Sequence, residues 1–230
     1  MDDTEKRAPI AKEPLSVALT LREETPGNLE VLQEWVTFLN SSALDYELLL
    51  APEQAGIDVA ALTAKFARAR AIDFSSTPGY GAALRAALKQ AKRPLLFYGR
   101  CSPRFKPADL KQFLREIDEV DVVFGVRGGR PFSWRDHVKR RLIRLLFGLT
   151  LEDPGCRFVL ARRDIFRRIP IQSDGVFAHL EILAKAHFLE CTGVPLRLSD
   201  RPEAAQPVEP IWADFRRVFA HPEFLPAAPI

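Results

Sequence analysis

Arg100, Arg104 and Lys106 crowd one short stretch directly after an apolar run, Leu95 to Tyr98. Guanidinium groups take phosphate oxygens in a two-pronged fashion, so this loop suits a phosphate group; a merely solvated basic turn is the other reading. Cys101, beside Arg100, is either a thiol of lowered pKa or an inert small hydrophobe. Upstream, Thr77-Pro-Gly-Tyr-Gly places Gly79 and Gly81 at a helix start. Bare N–H groups and the helix dipole favour an anion there, although close packing on a sheet would also require glycine. From Arg127 to Arg168 the chain holds twelve Lys/Arg against four Asp/Glu, which fits contact with phosphate or an anionic surface as well as exposed helix faces. His137, His179, His187 and His221 show no metal-ligand spacing. Neither a Gly-x-Ser-x-Gly elbow nor a Gly-x-x-x-x-Gly-Lys loop is present.

The elements that must position these residues alternate. Leu15 to Leu21, Tyr46 to Ala51, Leu95 to Tyr98 and Val120 to Val126 are apolar runs of strand length, and the three consecutive leucines in Tyr46 to Ala51 are expected where both faces of a parallel sheet are covered. Between them, Leu29, Leu32, Trp35, Val36 and Leu39 carry helical spacing. Helices are expected over 57–69, 77–91 and 107–117, and a short strand over 71–74. Strands alternating with helices give a mostly parallel sheet with helices on both faces and ligands beyond the strands' carboxyl ends. Further on, a basic amphipathic helix is expected over 132–148, an edge strand over 158–161, a helix over 176–188, a last strand over 193–198 and a short helix over 212–219.

Several of these segments, in order, resemble family 2 glycosyltransferases, particularly the polyprenyl-phosphate sugar synthases similar to dolichyl-phosphate mannose synthase. Leu15-Ser-Val-Ala-Leu-Thr-Leu-Arg-Glu-Glu is similar to the first strand and Pro-x-Tyr-Asn-Glu turn, with Thr20, Arg22, Glu23 and Glu24 at the motif positions. Tyr46-Glu-Leu-Leu-Leu-Ala-Pro-Glu resembles the second strand, and Pro52 and Glu53 stand where the family has paired aspartates on the nucleotide base. Thr77-Pro-Gly-Tyr-Gly-Ala-Ala-Leu-Arg resembles the Asn-x-Gly-x-Gly-x-Ala-Leu segment. Asp121-Val-Val-Phe-Gly-Val-Arg matches the strand ending in Gly-x-Arg. Asp153-Pro-Gly-Cys-Arg-Phe-Val-Leu-Ala-Arg-Arg matches Asp-x-x-x-Gly-Phe-x-Leu-x-Arg-Arg except that Arg157 replaces the glycine. Glu181-Ile-Leu and Val194-Pro match the closing helix and strand.

The resemblance implies a GT-A type three-layer α/β/α domain with a mostly parallel central sheet. It implies a nucleotide-binding set of Thr20, Arg22, Glu24, Glu53, Gly79 and Arg85, and acceptor-phosphate contacts from Arg104, Arg127, Arg130 and Arg157. The catalytic positions fall on Arg100 and Ser102, where the family's Asp-x-Asp holds Mg or Mn. A serine hydroxyl and an arginine do not make a hard-cation site. No cofactor is therefore expected, with arginines standing in electrostatically for the ion. The implied function is binding of a UDP- or GDP-hexose and, where active, transfer of the hexose to a phosphate-bearing or phospholipid-linked acceptor. The alternative is a catalytically inactive homologue serving as a nucleotide, sugar-phosphate or protein-binding module.

Residues 1–13 are expected as a disordered tail, 14–201 as the glycosyltransferase-2-like domain and 202–230 as a C-terminal extension. The charged start lacks a signal peptide's apolar core, and no apolar run approaches the roughly 20 residues of a membrane helix. Three scattered cysteines suit reduced thiols. A cytoplasmic protein follows, peripheral to the inner membrane face if its basic helix meets an anionic membrane surface. No nucleic-acid partner is expected.

Overall fold

A computed structural model of the 230-residue chain describes residues 13–23, 26–42, 44–73, 76–128, 134–199 and 212–226. Its strands are β1 (Leu15–Leu21), β2 (Tyr46–Pro52), β3 (Ala69–Ala71), β4 (Leu95–Arg100), β5 (Val122–Arg127), β6 (Phe158–Arg162) and β7 (Gly193–Leu198). Its helices are α1 (Pro26–Ser41), α2 (Val59–Thr63), α3 (Tyr80–Gln90), α4 (Leu110–Glu116, entered through a 3-10 turn at Pro107–Asp109), α5 (Trp134–Phe147), α6 (Arg163–Arg168), α7 (Phe177–Phe188) and α8 (Trp212–Ala220). The seven strands form one sheet in the order β3-β2-β1-β4-β6-β5-β7. All pairings are parallel except those of β6, which runs antiparallel to both β4 and β5.

Period-two alternation divides the sheet's side chains between two apolar layers. Leu15, Val17, Leu19 and Leu21 of β1 pack with Val31, Leu32, Trp35 and Leu39 of α1 and with Leu110, Phe113 and Leu114 of α4. Ala18, Leu49, Leu96 and Tyr98 face the opposite layer, built from Leu84 and Ala87 of α3, Ile182 and Leu183 of α7, Phe147 of α5 and Val218 of α8. The three-layer, mostly parallel architecture expected from the sequence is thus the one observed. In the first layer Phe158 meets Phe97 and Phe113 edge to face, at ring separations of 4.6 and 4.9 Å, and such pairs add about 0.5–1.5 kcal/mol each beyond simple burial.

Three elements differ from expectation. The helix expected over 57–69 is only five residues long: Asp58 caps it by accepting the Ala61 N–H at 2.9 Å, but Ala69–Ala71 are taken by pairing with Leu48–Leu50. Arg68 turns back over the Tyr46 ring at 5.0 Å. The strand expected over 71–74 therefore begins two residues earlier, and position 74 lies outside the described residues. The 158–161 strand is not an edge. It sits between β4 and β5 with Phe158 to Ala161 buried, because its four consecutive apolar residues suit a two-sided core. α6 follows β6 without a break and was not foreseen.

The tail expected over 1–13 and the extended stretch after residue 201 lie outside the described residues, save Glu13, which accepts a hydrogen bond from Arg162 at 2.8 Å. No helix among the described residues is long and apolar enough to cross a membrane.

Candidate functional site at the carboxyl ends of β1, β2 and β4

Parallel register carries Thr20, near the end of β1, alongside Ala51 on one flank and Arg100 on the other. Glu53 directly follows β2, and its backbone is fixed by its own N–H donating to Leu21 O (2.7 Å) and its carbonyl accepting the Gly79 N–H (2.7 Å). The three side chains converge. Thr20 Oγ1 donates to Glu53 Oε1 at 2.8 Å, while Arg100 donates through Nε to Oε1 at 2.9 Å and through Nη2 to Oε2 at 2.7 Å. Both members of the ion pair are only 6% exposed. The Tyr80 ring lies against this cluster, with the Arg100 guanidinium 5.6 Å and the Arg157 guanidinium 4.6 Å from its centroid, within cation–π range. The residue expected to replace the cation and the residue expected to accept the base are thus brought together and satisfy each other.

The rest of the loop after β4 is turn structure. Ser102 is buried and its Oγ accepts the Arg104 N–H at 3.2 Å; Arg104 itself is half-buried. Burial pushes the Cys101 thiol up to about 12, which makes it an inert hydrophobe. Lys106 lines a groove of about 820 Å³ on the α1 side, with Leu29, Phe38, Lys65, Phe66 and Pro107. A divalent cation does not fit here: the loop offers one neutral hydroxyl beside a guanidinium, and hard cations take six to eight oxygens, several of them anionic. Among the described residues no group of three or more His, Cys, Asp or Glu could hold a metal ion.

The start of α3 is occupied from within. Gly79 has φ +131°, and a Cβ there would lie 2.3 Å from Asp174 O; a Cβ on Gly81 would lie 2.2 Å from Ser173 O. The Gly81 and Ala82 N–H groups both donate to Asp174 O, at 2.7 and 3.1 Å. The glycines therefore admit the loop preceding α7. Arg85 clamps that loop, donating to Ile171 O, Ser173 O and Asp174 Oδ1. Glu181 accepts the Gln172 and Ser173 N–H groups, and Lys185 joins Glu181, Gln172 and Pro170 O. Arg22 is half-buried, 3.8 Å from Glu23, and Glu24 lies outside the described residues.

On the far side, Arg127 ends β5 and grips Asp153 with Nε and Nη2. Burial pushes the Asp153 carboxyl up, but Arg127 outweighs it and the net pKa is lowered. Arg130 lies outside the described residues. Because β6 runs antiparallel, its first residues arrive beside the end of β4, which places Arg157 at the same rim as Arg100. Behind them, the Tyr98 hydroxyl and His179 Nδ1 share a hydrogen bond of 3.0 Å. His179 Nε2 and the Tyr80 hydroxyl are buried and find no partner among the described residues. Burial, then Arg157 and Arg127, drive the His179 pKa down to about 3, so the ring is neutral. Sequence reasoning set His179 aside; the signal for it was one imidazole in the otherwise apolar Phe177-Ala-His-Leu run.

No protein-family model and no curated protein matches the sequence. Solved structures do. Glucosyl-3-phosphoglycerate synthase from Mycobacterium tuberculosis in complex with Mn2+, uridine diphosphate and phosphoglyceric acid superposes with a TM-score of 0.70 at 19% identity, over 91% of this chain and 77% of that one. The complex of that enzyme with uridine diphosphate gives 0.68 at 19% identity over 91% and 78%. The complex with Mn2+, UDP-glucose and phosphoglyceric acid gives 0.67, also at 19% identity over 91% and 78%. With this likeness and its own sheet order and layers, the chain has the GT-A glycosyltransferase fold.

Proposed function

We propose that this protein binds a nucleotide sugar without a divalent cation and has lost the transfer step that a cation would support. The neighbours bind uridine diphosphate or UDP-glucose together with Mn2+ and a phosphoglyceric acid acceptor, which supports a sugar nucleotide and a phosphate-bearing second ligand as the chemical classes this fold accommodates. The observation that carries the rest is the buried Thr20–Glu53–Arg100 cluster. It puts a guanidinium at the end of β4 and neutralises it with the carboxylate after β2, so neither remains for a metal or a base without breaking a desolvated pair. Positive charge for a diphosphate then comes from the half-buried rim arginines Arg22, Arg104 and Arg157.

A second reading, transfer of a hexose to a phosphate-bearing or lipid-linked acceptor with arginines in place of the ion, is favoured by one contact. Arg157 stands over Tyr80 at the rim, where a guanidinium could neutralise a departing diphosphate. Calorimetry with UDP-glucose and GDP-mannose, with and without Mn2+, run beside an assay for released nucleotide, separates the two. The proposal expects binding unchanged by Mn2+, weakened roughly tenfold by Arg157→Gln, and no nucleotide release. Binding that appears only with Mn2+ overturns it; metal-independent release establishes the second reading. Failure to bind either nucleotide leaves the protein-binding module.

A further inference from the structure

Helix α5 carries apolar side chains on two opposite sides. Phe147 is buried, and Ile143 and Leu146 are half-buried against the core. Val138, Leu142 and Leu145, spaced four and three residues apart, form a separate stripe that is 47%, 43% and 79% exposed. At 100° per residue these three fall within about 60° of one another, on the side turned away from Phe147. Arg141 lies about 40° beyond the Leu145 edge of this arc and Arg144 about 100° beyond it, both exposed, and no acidic side chain is described from His137 to Phe147. Core packing leaves this arrangement unexplained, since the stripe faces away from the core.

We propose that the exposed face of α5 docks on an anionic lipid bilayer, lying in the interfacial plane with Leu142 and Leu145 in the acyl boundary and Arg141 and Arg144 among the headgroup phosphates. An apolar line flanked by arginines on a helix too short to span is the pattern of an interfacial segment. A nucleic-acid backbone would want cations along the centre of the face, where this helix places leucine. This assignment is independent of the nucleotide-sugar reading, because none of its residues belongs to the strand-end cluster.

Co-sedimentation of the full chain with vesicles tests it. The protein is expected to pellet with equimolar phosphatidylcholine and phosphatidylglycerol and to stay in solution with phosphatidylcholine alone. Arg141→Gln with Arg144→Gln lowers partitioning about fivefold per arginine, an effect that added salt also produces. Leu142→Ser with Leu145→Ser lowers it tenfold or more. All four positions are exposed, so both variants should melt with the parent chain. Wild-type protein that stays in solution with anionic vesicles, or that pellets equally with neutral ones, overturns the proposal. So does a leucine variant that binds like the parent, self-association that the leucine variant abolishes, or retention on duplex DNA that it leaves intact.

Discussion

Glu53 and Arg100 are each other's counter-charge, so removing either leaves the other buried with no compensating charge. Arg100→Met or Glu53→Gln is expected to destabilise the fold by about 3–5 kcal/mol, whereas the two combined should cost clearly less than the sum. Urea unfolding of the three variants checks this; additive losses would mean that the pair does not act as a unit. His179 makes a second prediction at this scale. Its imidazole is held neutral down to about pH 3, against an ordinary value of 6.5, so between those limits the unfolded chain binds a proton that the native fold refuses. Stability is full above 6.5 and falls through that window by roughly 1.4 kcal/mol per pH unit. Asp153, with its lowered pKa, contributes only further into acid. In His179→Gln, which retains a partner for the Tyr98 hydroxyl, the melting temperature should stay flat between pH 6.5 and the carboxylate range while that of the parent drops.

The same contrast between a filled and an open neighbourhood governs the turn before α3. Gly79→Ala combines a left-handed backbone with a Cβ driven into Asp174 O, and Gly81→Ala meets Ser173 O and the Ala178 methyl. Each should cost more than about 3 kcal/mol in denaturant titration. Gly56→Ala also has a positive φ, but nothing within 4 Å of the added methyl, so only the backbone penalty of about 1–2 kcal/mol applies. Equal losses at 56 and 79 would show that loop contact contributes nothing. Elements built on long apolar runs were legible in advance: β1, β2, β4 and β5, whose side chains leave no choice but a doubly covered sheet, and α1, α5 and α7. Alanine-rich residues 59–69 misled because local helix propensity lost to the edge pairing of Ala69–Ala71. The place of β6 was hidden because Arg157 and Arg162 bracket a short run. The Glu53–Arg100 bond was not legible at all, since it joins positions 47 apart and requires knowing that β1 lies between β2 and β4.

Across the whole molecule, both ends of the sheet are tied by buried carboxylates. Glu53 serves one end. At the other, Glu47 accepts from Ser16 Oγ (2.7 Å), the Lys92 N–H (2.6 Å) and Arg70 (2.7 Å). Burial alone would raise its pKa, but these partners outweigh it and the net value is lowered. The overall fold was readable from sequence because it depends on such distributed apolar and polar patterning, whereas the state of the ligand site depends on which side chain meets which.

One distributed feature gives the chain an internal alkaline indicator. Its three tyrosines sit at the start of β2, the start of α3 and within β4, all buried, and burial raises the pKa of each phenol above 10. Below about pH 10 neither state ionises; above it only the unfolded chain does, so stability declines with added base from there upward. Phenolate absorbance should accordingly appear in a single cooperative step that coincides with the loss of far-ultraviolet dichroism, and a gradual rise ahead of that loss would show that at least one phenol is open to solvent in the native state.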